Sequence, residues 1–288
     1  MRRRSARVKA LDLGLRKLGW NRNRNLFIDY RFGVNEPEQV IRVVKDLVGL
    51  APEVILAHTP AGVAALKAAT QTIPIIFVQA ADPVNLGLVD NLAIPEGNVT
   101  GFVLFEPSIG GKWVQLLHDV APNVREILVM QAAGNPSSAG FMQAIKAVAP
   151  TFGVEISTAT VQDRVEIEPA IANFSARPNA GMIVLPGPIF SVHRERMIAA
   201  AQLHKVPCIY AFPYYTREGG LMSYSPDNID QWRQAASYVD RILRSARTRD
   251  LPIQLPTKFD LIINLKTAKA LGLTIQRDIL LIADEVIE

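Results

Sequence analysis

Val54-Ile55-Leu56-Ala57, a His58-Thr59-Pro60 turn, a helical stretch and then Thr72-Ile73-Pro74-Ile75-Ile76-Phe77 form one half of a weak internal repeat. The other half is Met182-Ile183-Val184-Leu185, Pro186-Gly187-Pro188, a helical stretch and Lys205-Val206-Pro207-Cys208-Ile209-Tyr210. Each half reads as strand, turn, helix and X-Pro strand. Runs this short and this continuously apolar are typical of parallel strands covered on both faces. Ile127 to Met130 is another such run, and Leu26 to Phe32 alternates apolar with polar residues, as a strand does. Helical patterns lie between the strands, at about 36–50, 60–71, 108–119, 138–152, 163–177 and 191–204. Alternation of this kind predicts an α/β fold with helices on both sides of parallel sheets.

Each repeat is followed by glycine and a short apolar strand, Asn98-Val99-Thr100-Gly101-Phe102-Val103 in the first half and Gly219-Gly220-Leu221-Met222-Ser223-Tyr224 in the second. These are expected to be crossings between two lobes. A third crossing is expected at Leu251-Pro252-Ile253-Gln254-Leu255-Pro256, where two prolines end the preceding helix and favour extended backbone. Three crossings give interleaved lobes, 1–103 with 225–252 and 104–224 with 253–288, and a hinge near 102–106, 221–226 and 251–257. Two sequential domains split near residue 105 are the alternative that the repeat leaves open.

The 288 residues suffice for two domains with cores of their own. The net charge of +4 comes from the start of the chain, where Arg2, Arg3, Arg4, Arg7 and Lys9 stand close together. A basic end on a near-neutral body is not the distributed Lys/Arg stripe that a phosphate backbone requires, so no nucleic-acid partner is expected. No run approaches the ~20 apolar residues of a membrane span. Ser5 to Gly19 reads as an amphipathic helix, and no apolar core of an export signal follows the basic start. Cys208, the single cysteine, can make no intramolecular disulfide and sits in a strand pattern that buries it.

Candidate ligand positions come from the turns. His58-Thr59-Pro60, Ala81-Asp82-Pro83 and Gly134-Asn135-Pro136 each pair a good N-cap residue with a proline suited to the first helical position. All three predict sharp strand-to-helix turns. In open parallel sheets ligands bind beyond the carboxyl ends of the strands, where helix N-termini offer free N–H groups. Every α/β protein has caps that bind nothing, so each turn is a cap first and a ligand loop second. Tyr210 and Phe212 end the strand of the second repeat, with Phe105 and Tyr224 beside the crossings, and these aromatics are either core or a ligand sandwich.

Enzyme signatures are absent. Gly110-Gly111-Lys112-Trp113 ends like a phosphate-binding loop, but Glu106 stands where its first glycine is needed and Trp113 replaces Ser or Thr. No nucleophile elbow or dinucleotide fingerprint occurs, and His58, His118, His193 and His204 show no metal-ligand spacing. Neither a catalytic residue, a cofactor nor a metal is expected.

Several segments together resemble the substrate-binding components of ABC transporters, in the family that includes the tryptophan/tyrosine-type binding proteins. They are Gly14-Leu15-Arg16-Lys17-Leu18-Gly19-Trp20, Ile73-Pro74-Ile75-Ile76-Phe77, Asp82-Pro83-Val84, Gly97-Asn98-Val99-Thr100-Gly101, Gly219 to Tyr224, Ala236 to Leu243 and, most specific, Leu251-Pro252 through Pro256-Thr257-Lys258-Phe259 to Ile263-Asn264-Leu265-Lys266-Thr267-Ala268-Lys269-Ala270-Leu271-Gly272-Leu273. The resemblance implies a two-lobed, hinged, type I periplasmic-binding fold that captures a small polar or amphipathic solute, such as an amino acid or related acid, as a non-catalytic monomer. It implies ligand-facing loops at Thr59, Asp82, Asn135 with Ser137, and Tyr210 with Phe212, and a membrane permease as partner. Family members begin with an export signal and an apolar first strand ahead of the helix that matches Ser5 to Gly19. Neither stands in these residues, so the first lobe is expected to be one strand short. The family implies a periplasmic location; a cytoplasmic one follows if the chain starts as written. A ligand-sensing regulatory module of the same fold, and less so an α/β enzyme, are the alternative functions.

Overall fold

The computed structural model of the protein describes residues 6–32 and 36–288. Arg2, Arg3, Arg4 and Ser5 of the basic start lie outside the described residues. In chain order the elements are α1 (Ala6–Lys17), α2 (Pro37–Gly49), β1 (Ile55–Ala57), α3 (Pro60–Ala69), β2 (Ile75–Ala80), β3 (Val99–Val103), α4 (Ile109–Val120), β4 (Glu126–Ala132), α5 (Ser138–Val148), β5 (Glu155–Val161) and α6 (Ile167–Ser175). There follow β6 (Ala180–Val184), α7 (Pro188–Val192), α8 (Arg194–Leu203), β7 (Cys208–Tyr210), α9 (Pro213–Arg217), β8 (Met222–Pro226), α10 (Asn228–Leu243), β9 (Phe259–Asn264), α11 (Leu265–Ala270), α12 (Arg277–Ile282) and β10 (Glu285–Ile287). The chain divides into two compact units. Unit 1 is Met1–Glu106 with Pro226–Lys258, and unit 2 is Pro107–Ser225 with Phe259–Glu288.

Unit 1 holds a three-stranded parallel sheet, ordered β1-β2-β3. The central strand β2 is buried along its whole length, because successive side chains of a strand point to opposite faces and both faces are covered. Ile75 and Phe77 join the core that also takes Val44 of α2 and Val63 of α3, whereas Ile76 and Val78 join the core formed with α1 and α10. Gly14 lets α1 and α10 meet closely, since a Cβ there would lie 2.6 Å from the Cβ of Ala236. The segment around 251–256 runs beside β3: Val103 N donates to Gln254 O at 2.8 Å and Gln254 N to Gly101 O at 2.9 Å.

Leu26 to Phe32 corrects the strand expectation. It makes only an isolated bridge, Arg22 with Leu26, and no ladder among the described residues. Its alternation still has a physical effect, since Leu26 and Ile28 pack on the α1/α10 core while Phe27 is 80% exposed. With no strand hydrogen-bonded beside it, a strand-like pattern yields extended chain and not sheet.

Unit 2 holds a seven-stranded sheet in the order β10-β9-β8-β7-β6-β4-β5. The pairings of β4 with β5 and β6, of β7 with β6 and β8, and of β9 with β10 are parallel. Its core gathers Leu128, Met130, Met182, Val184, Ile171 and Phe190. Gly110 and Gly111, which only superficially match a phosphate loop, let α4 press on α5: a Cβ on Gly110 would stand 2.8 Å from Phe141 O. β5, β9 and β10 were not legible as strands. β5 lies at the sheet edge with an exposed, polar alternation, Glu155-Ile156-Ser157-Thr158-Ala159-Thr160-Val161, and so lacks the apolar run that marks the inner strands.

Candidate functional site

Because the paired strands run parallel, their carboxyl ends share one edge in each sheet, and the residues singled out above fall on loops leaving those ends. In unit 1, Thr59 follows β1 and caps α3, its Oγ1 accepting from Gly62 N at 3.2 Å. Pro60 takes the first helical position, as its missing N–H and preset φ favour.

Asp82 follows β2, but no helix starts there. Residues 83–87 form a turn, with Leu86 N donating to Asp82 O and Gly87 in the left-handed region. This corrects the cap expectation: Asp82 has φ +49°, outside the extended backbone of an N-cap, and its carboxylate accepts instead from Asn85 Nδ2 at 2.7 Å.

Gln79, three residues earlier, was missed by sequence reasoning. It is 4% exposed and has φ +69°, with Nε2 donating to Asn228 O and Oδ1, both at 3.0 Å, while Oε1 is buried with no partner among the described residues. Left-handed backbone and an unsatisfied buried oxygen are both costly, and such costs gather at ligand sites. The available signal was a lone amide ending the apolar run Ile75 to Val78.

His58 lies beside Thr59. Its Nδ1 must donate to Val78 O at 3.1 Å, since a carbonyl can only accept, so Nε2 accepts from Arg7 at 2.9 Å. Desolvation, chiefly, holds its pKa below 6.5; the Val78 bond opposes this and the Arg7 charge adds to it. The imidazole thus binds fewer protons folded than unfolded. Its contribution to stability is whole above pH 6.5 and is lost as pH falls from 6.5 toward the folded value. Urea melts between pH 7.5 and 5 should show part of the acid destabilisation vanish in His58→Gln. An unchanged pH slope in that variant would sink the assignment. The amplitude is small because part of the His58 side chain stays open to solvent.

In unit 2 the sheet order changes direction at β4, whose neighbours β5 and β6 follow it in sequence but lie on its two sides. The crevice beyond such a switch point is where open α/β sheets take ligands. Asn135 sits there. Its Nδ2 donates to Pro186 O, on the loop after β6, at 2.8 Å, and its Oδ1 accepts from Ser137 N at 3.2 Å. Ser137, largely buried, precedes α5 directly. Asn135 therefore ties the β4 and β6 loops together and does not itself cap the helix.

The two predicted aromatics part company. Tyr210 is 1% exposed and belongs to the core, closed off by Gly220, where a Cβ would lie 2.6 Å from its ring; burial pushes its phenol well up. Phe212 is half-buried and packs against that core. Two rings connect them: Tyr210 stacks on Tyr215 at 4.7 Å, Tyr215 on Tyr214 at 4.8 Å, and Tyr214 on Phe212 at 5.4 Å. The Tyr214 hydroxyl is tied to Ser191 Oγ at 2.8 Å. Phe212 is thus a rigidly backed apolar surface at the carboxyl end of β7.

Among the described residues no group of three or more His, Cys, Asp or Glu could hold a metal. The Cys208 thiol is buried, and desolvation pushes its pKa up, away from a nucleophile's range. No helix among them is long and apolar enough to cross a membrane.

Two α/β units carry polar and aromatic loops at the carboxyl ends of their strands, where open parallel sheets hold small molecules. Comparison with known proteins gives the family. The model for "ABC transporter substrate binding protein" matches residues 3–287, and the chain belongs to that family. A tyrosine-binding protein of Clostridioides difficile is 26% identical over 273 residues, covering 92% of this chain and 75% of that protein. A conserved domain protein of Vibrio cholerae has a solved structure that superposes with TM-score 0.85 at 29% identity, over 98% of this chain and 94% of that one. The ABC domain of a Streptococcus pneumonia protein, solved in complex with L-Trp, superposes with TM-score 0.85 at 24% identity over the same shares. The fold is therefore of the type I periplasmic-binding kind.

Proposed function

We propose that the chain is the solute-receiving component of an ABC import system and that it takes an aromatic amino acid or a closely related amphipathic acid. The observation that carries the ligand class is the run of stacked rings Tyr210, Tyr215, Tyr214 and half-buried Phe212 at the carboxyl end of β7, on the same sheet edge as Asn135 and Ser137. A flat ring laid on Phe212 gains apolar burial and offset stacking, about 0.5–1.5 kcal/mol beyond area. Thr59, Asp82 and Gln79 supply the polar end. The Asp82 carboxylate answers a ligand ammonium, and Gln79 Oε1 offers a second acceptor. Tyr210 backs the stack from within the core. The names of the relatives that bind Tyr and L-Trp support the same class.

In this reading the two lobes close on the solute about the segments 102–106, 221–226 and 251–257. Closure is a population shift, so ligand must favour the closed form over the open one. The closed form then docks on a membrane permease, with the protein outside the cytoplasmic membrane and acting as a monomer.

The test is a calorimetric and thermal-shift titration with L-Trp, L-Tyr, L-Phe and non-aromatic amino acids. A ligand at 100 times its Kd should stabilise the fold by about 2.7 kcal/mol. Phe212→Ala should weaken an aromatic ligand about tenfold or more, and Asp82→Asn should do likewise for ligands with a free amine. A preference for non-aromatic solutes, or Phe212→Ala binding like the parent, would overturn the ligand class.

A further inference from the structure

The ring that backs Phe212 is held in place through hydroxyls. Ser191 stands in α7, in the segment that leaves β6, and its Oγ lies 3.2 Å from Gly187 O, the carbonyl four residues earlier. Serine in a helix commonly bonds back to that carbonyl. A carbonyl can only accept and a hydroxyl has one hydrogen, so Ser191 Oγ donates to Gly187 and is left as an acceptor. The Tyr214 hydroxyl, 2.8 Å away, therefore donates to Ser191. Each hydrogen in this chain has one place to go.

Gly187 is a firm anchor for it. The preceding carbonyl, Pro186 O, takes the Asn135 amide at 2.8 Å, so the loops after β4 and β7 are both tied to consecutive carbonyls of the loop after β6. A Cβ on Gly187 would stand 3.0 Å from Ala132 Cβ, at the end of β4, and 3.1 Å from the ring of completely buried Phe190. The loop has no room to shift toward β4. Tyr214 also lies 4.8 Å from the ring of Tyr215 and 5.4 Å from that of Phe212, whose plane is within 12° of its own. Stacking holds rings at a distance and tolerates sliding, whereas a hydrogen bond at the far end of the ring is directional.

We propose that Ser191 and Tyr214 are positioning residues that set ligand specificity: their hydroxyl bond fixes the plane of Phe212 relative to the Asn135 loop, and the fixed plane makes the site prefer aromatic over aliphatic side chains. The inference rests on the aromatic ligand class proposed above. Apolar burial is non-directional and follows area, so an aliphatic side chain gains equally from a fixed or a loose ring. Offset stacking depends on the mutual placement of two planes, so an aromatic side chain gains more from a fixed one. Both residues act through Phe212.

The experiment titrates the full chain calorimetrically with L-Trp, L-Tyr and L-Phe, and with L-Leu by displacement of the tightest of these. Tyr214→Phe keeps the ring and removes the donor, and Ser191→Ala removes the acceptor. Each should lower the ratio of aromatic to L-Leu affinity about three- to tenfold, with the affinity for L-Leu unmoved. The double variant should be no worse than either single one, since all three cut the same bond. Ser191→Thr keeps the hydroxyl and should keep the parent's ratio. A bond that serves folding alone would lower the melting temperature and leave the ratio where it was, and that result would overturn the proposal. Additive losses in the double variant would do the same. Phe212→Ala separates the two readings. If it binds aromatic amino acids like the parent, the ligand class falls and this inference with it; if it binds them weakly while Tyr214→Phe and Ser191→Ala keep the parent's ratio, this inference alone falls.

Discussion

Gly101→Ala is expected to lower the stability of unit 1 by about 3 kcal/mol or more, the upper end of what overpacking a tight core costs. Gly101 lies opposite Phe77 in the β2–β3 ladder. An added Cβ would stand 2.1 Å from Phe77 O and 2.7 Å from Phe77 Cγ. Neither can yield cheaply. The carbonyl belongs to the central strand's backbone, and the ring is completely buried between β1, β2 and the helices that cover them. The neighbouring Thr100 is tied by its hydroxyl to Leu251 O at 2.6 Å, so the strand cannot slide away without losing that bond as well. Urea unfolding monitored by circular dichroism measures the loss. A cost within about 0.5 kcal/mol of the parent, the range of inert surface changes, would mean that the close β2–β3 approach is wrong.

Trp113→Ala should be comparably severe in unit 2. Trp113 is 1% exposed on α4, its ring 5.4 Å from that of Phe141, and Nε1 donates to Tyr224 O at 2.8 Å. Deleting a buried indole costs about 3–5 kcal/mol in lost packing and cavity. Stranding the Tyr224 carbonyl adds about 1–3 kcal/mol unless water reaches it. Trp113→Phe separates the two, since it keeps most of the packing and removes only the donor; about 1–2 kcal/mol is expected. The transitions should be followed with probes in each unit, because two units with separate cores need not melt as one. If Trp113→Ala costs less than Trp113→Phe, the packing account fails.

Much of the local structure was legible because it depends on near neighbours in the chain. The apolar run Ile75 to Val78 implied a strand covered on both faces, and β2 is buried throughout. Thr59-Pro60 implied a capped helix start, and Thr59 Oγ1 closes that cap. Asp82-Pro83 carries the same pair of residue types, yet a left-handed Asp82 diverts the chain into a turn. A cap needs a helix willing to follow, and Asn85 and Gly87 favour a turn over a helix. Leu26 to Phe32 had the period of a strand, but a strand also needs a partner beside it, which no local pattern supplies.

The sequence by itself determined the α/β class and the positions of most turns, since periodicity, caps and proline act over a few residues, while the family followed from the resemblance of whole segments. Only the tertiary structure decided which turns share a sheet edge. Asn135 and Pro186 stand 51 residues apart and meet because β6 pairs with β4 on the side away from β5. It also decided that of Tyr210 and Phe212, two aromatics on one strand end, the first is sealed into the core by Gly220 and Tyr215 while the second packs on that core and stays half-buried. It decided as well that Gln79, one residue from the end of β2, keeps a buried oxygen with no partner among the described residues. Those outcomes follow from packing between segments distant in the chain, where excluded volume and hydrogen-bond satisfaction are settled by neighbours that no local window contains.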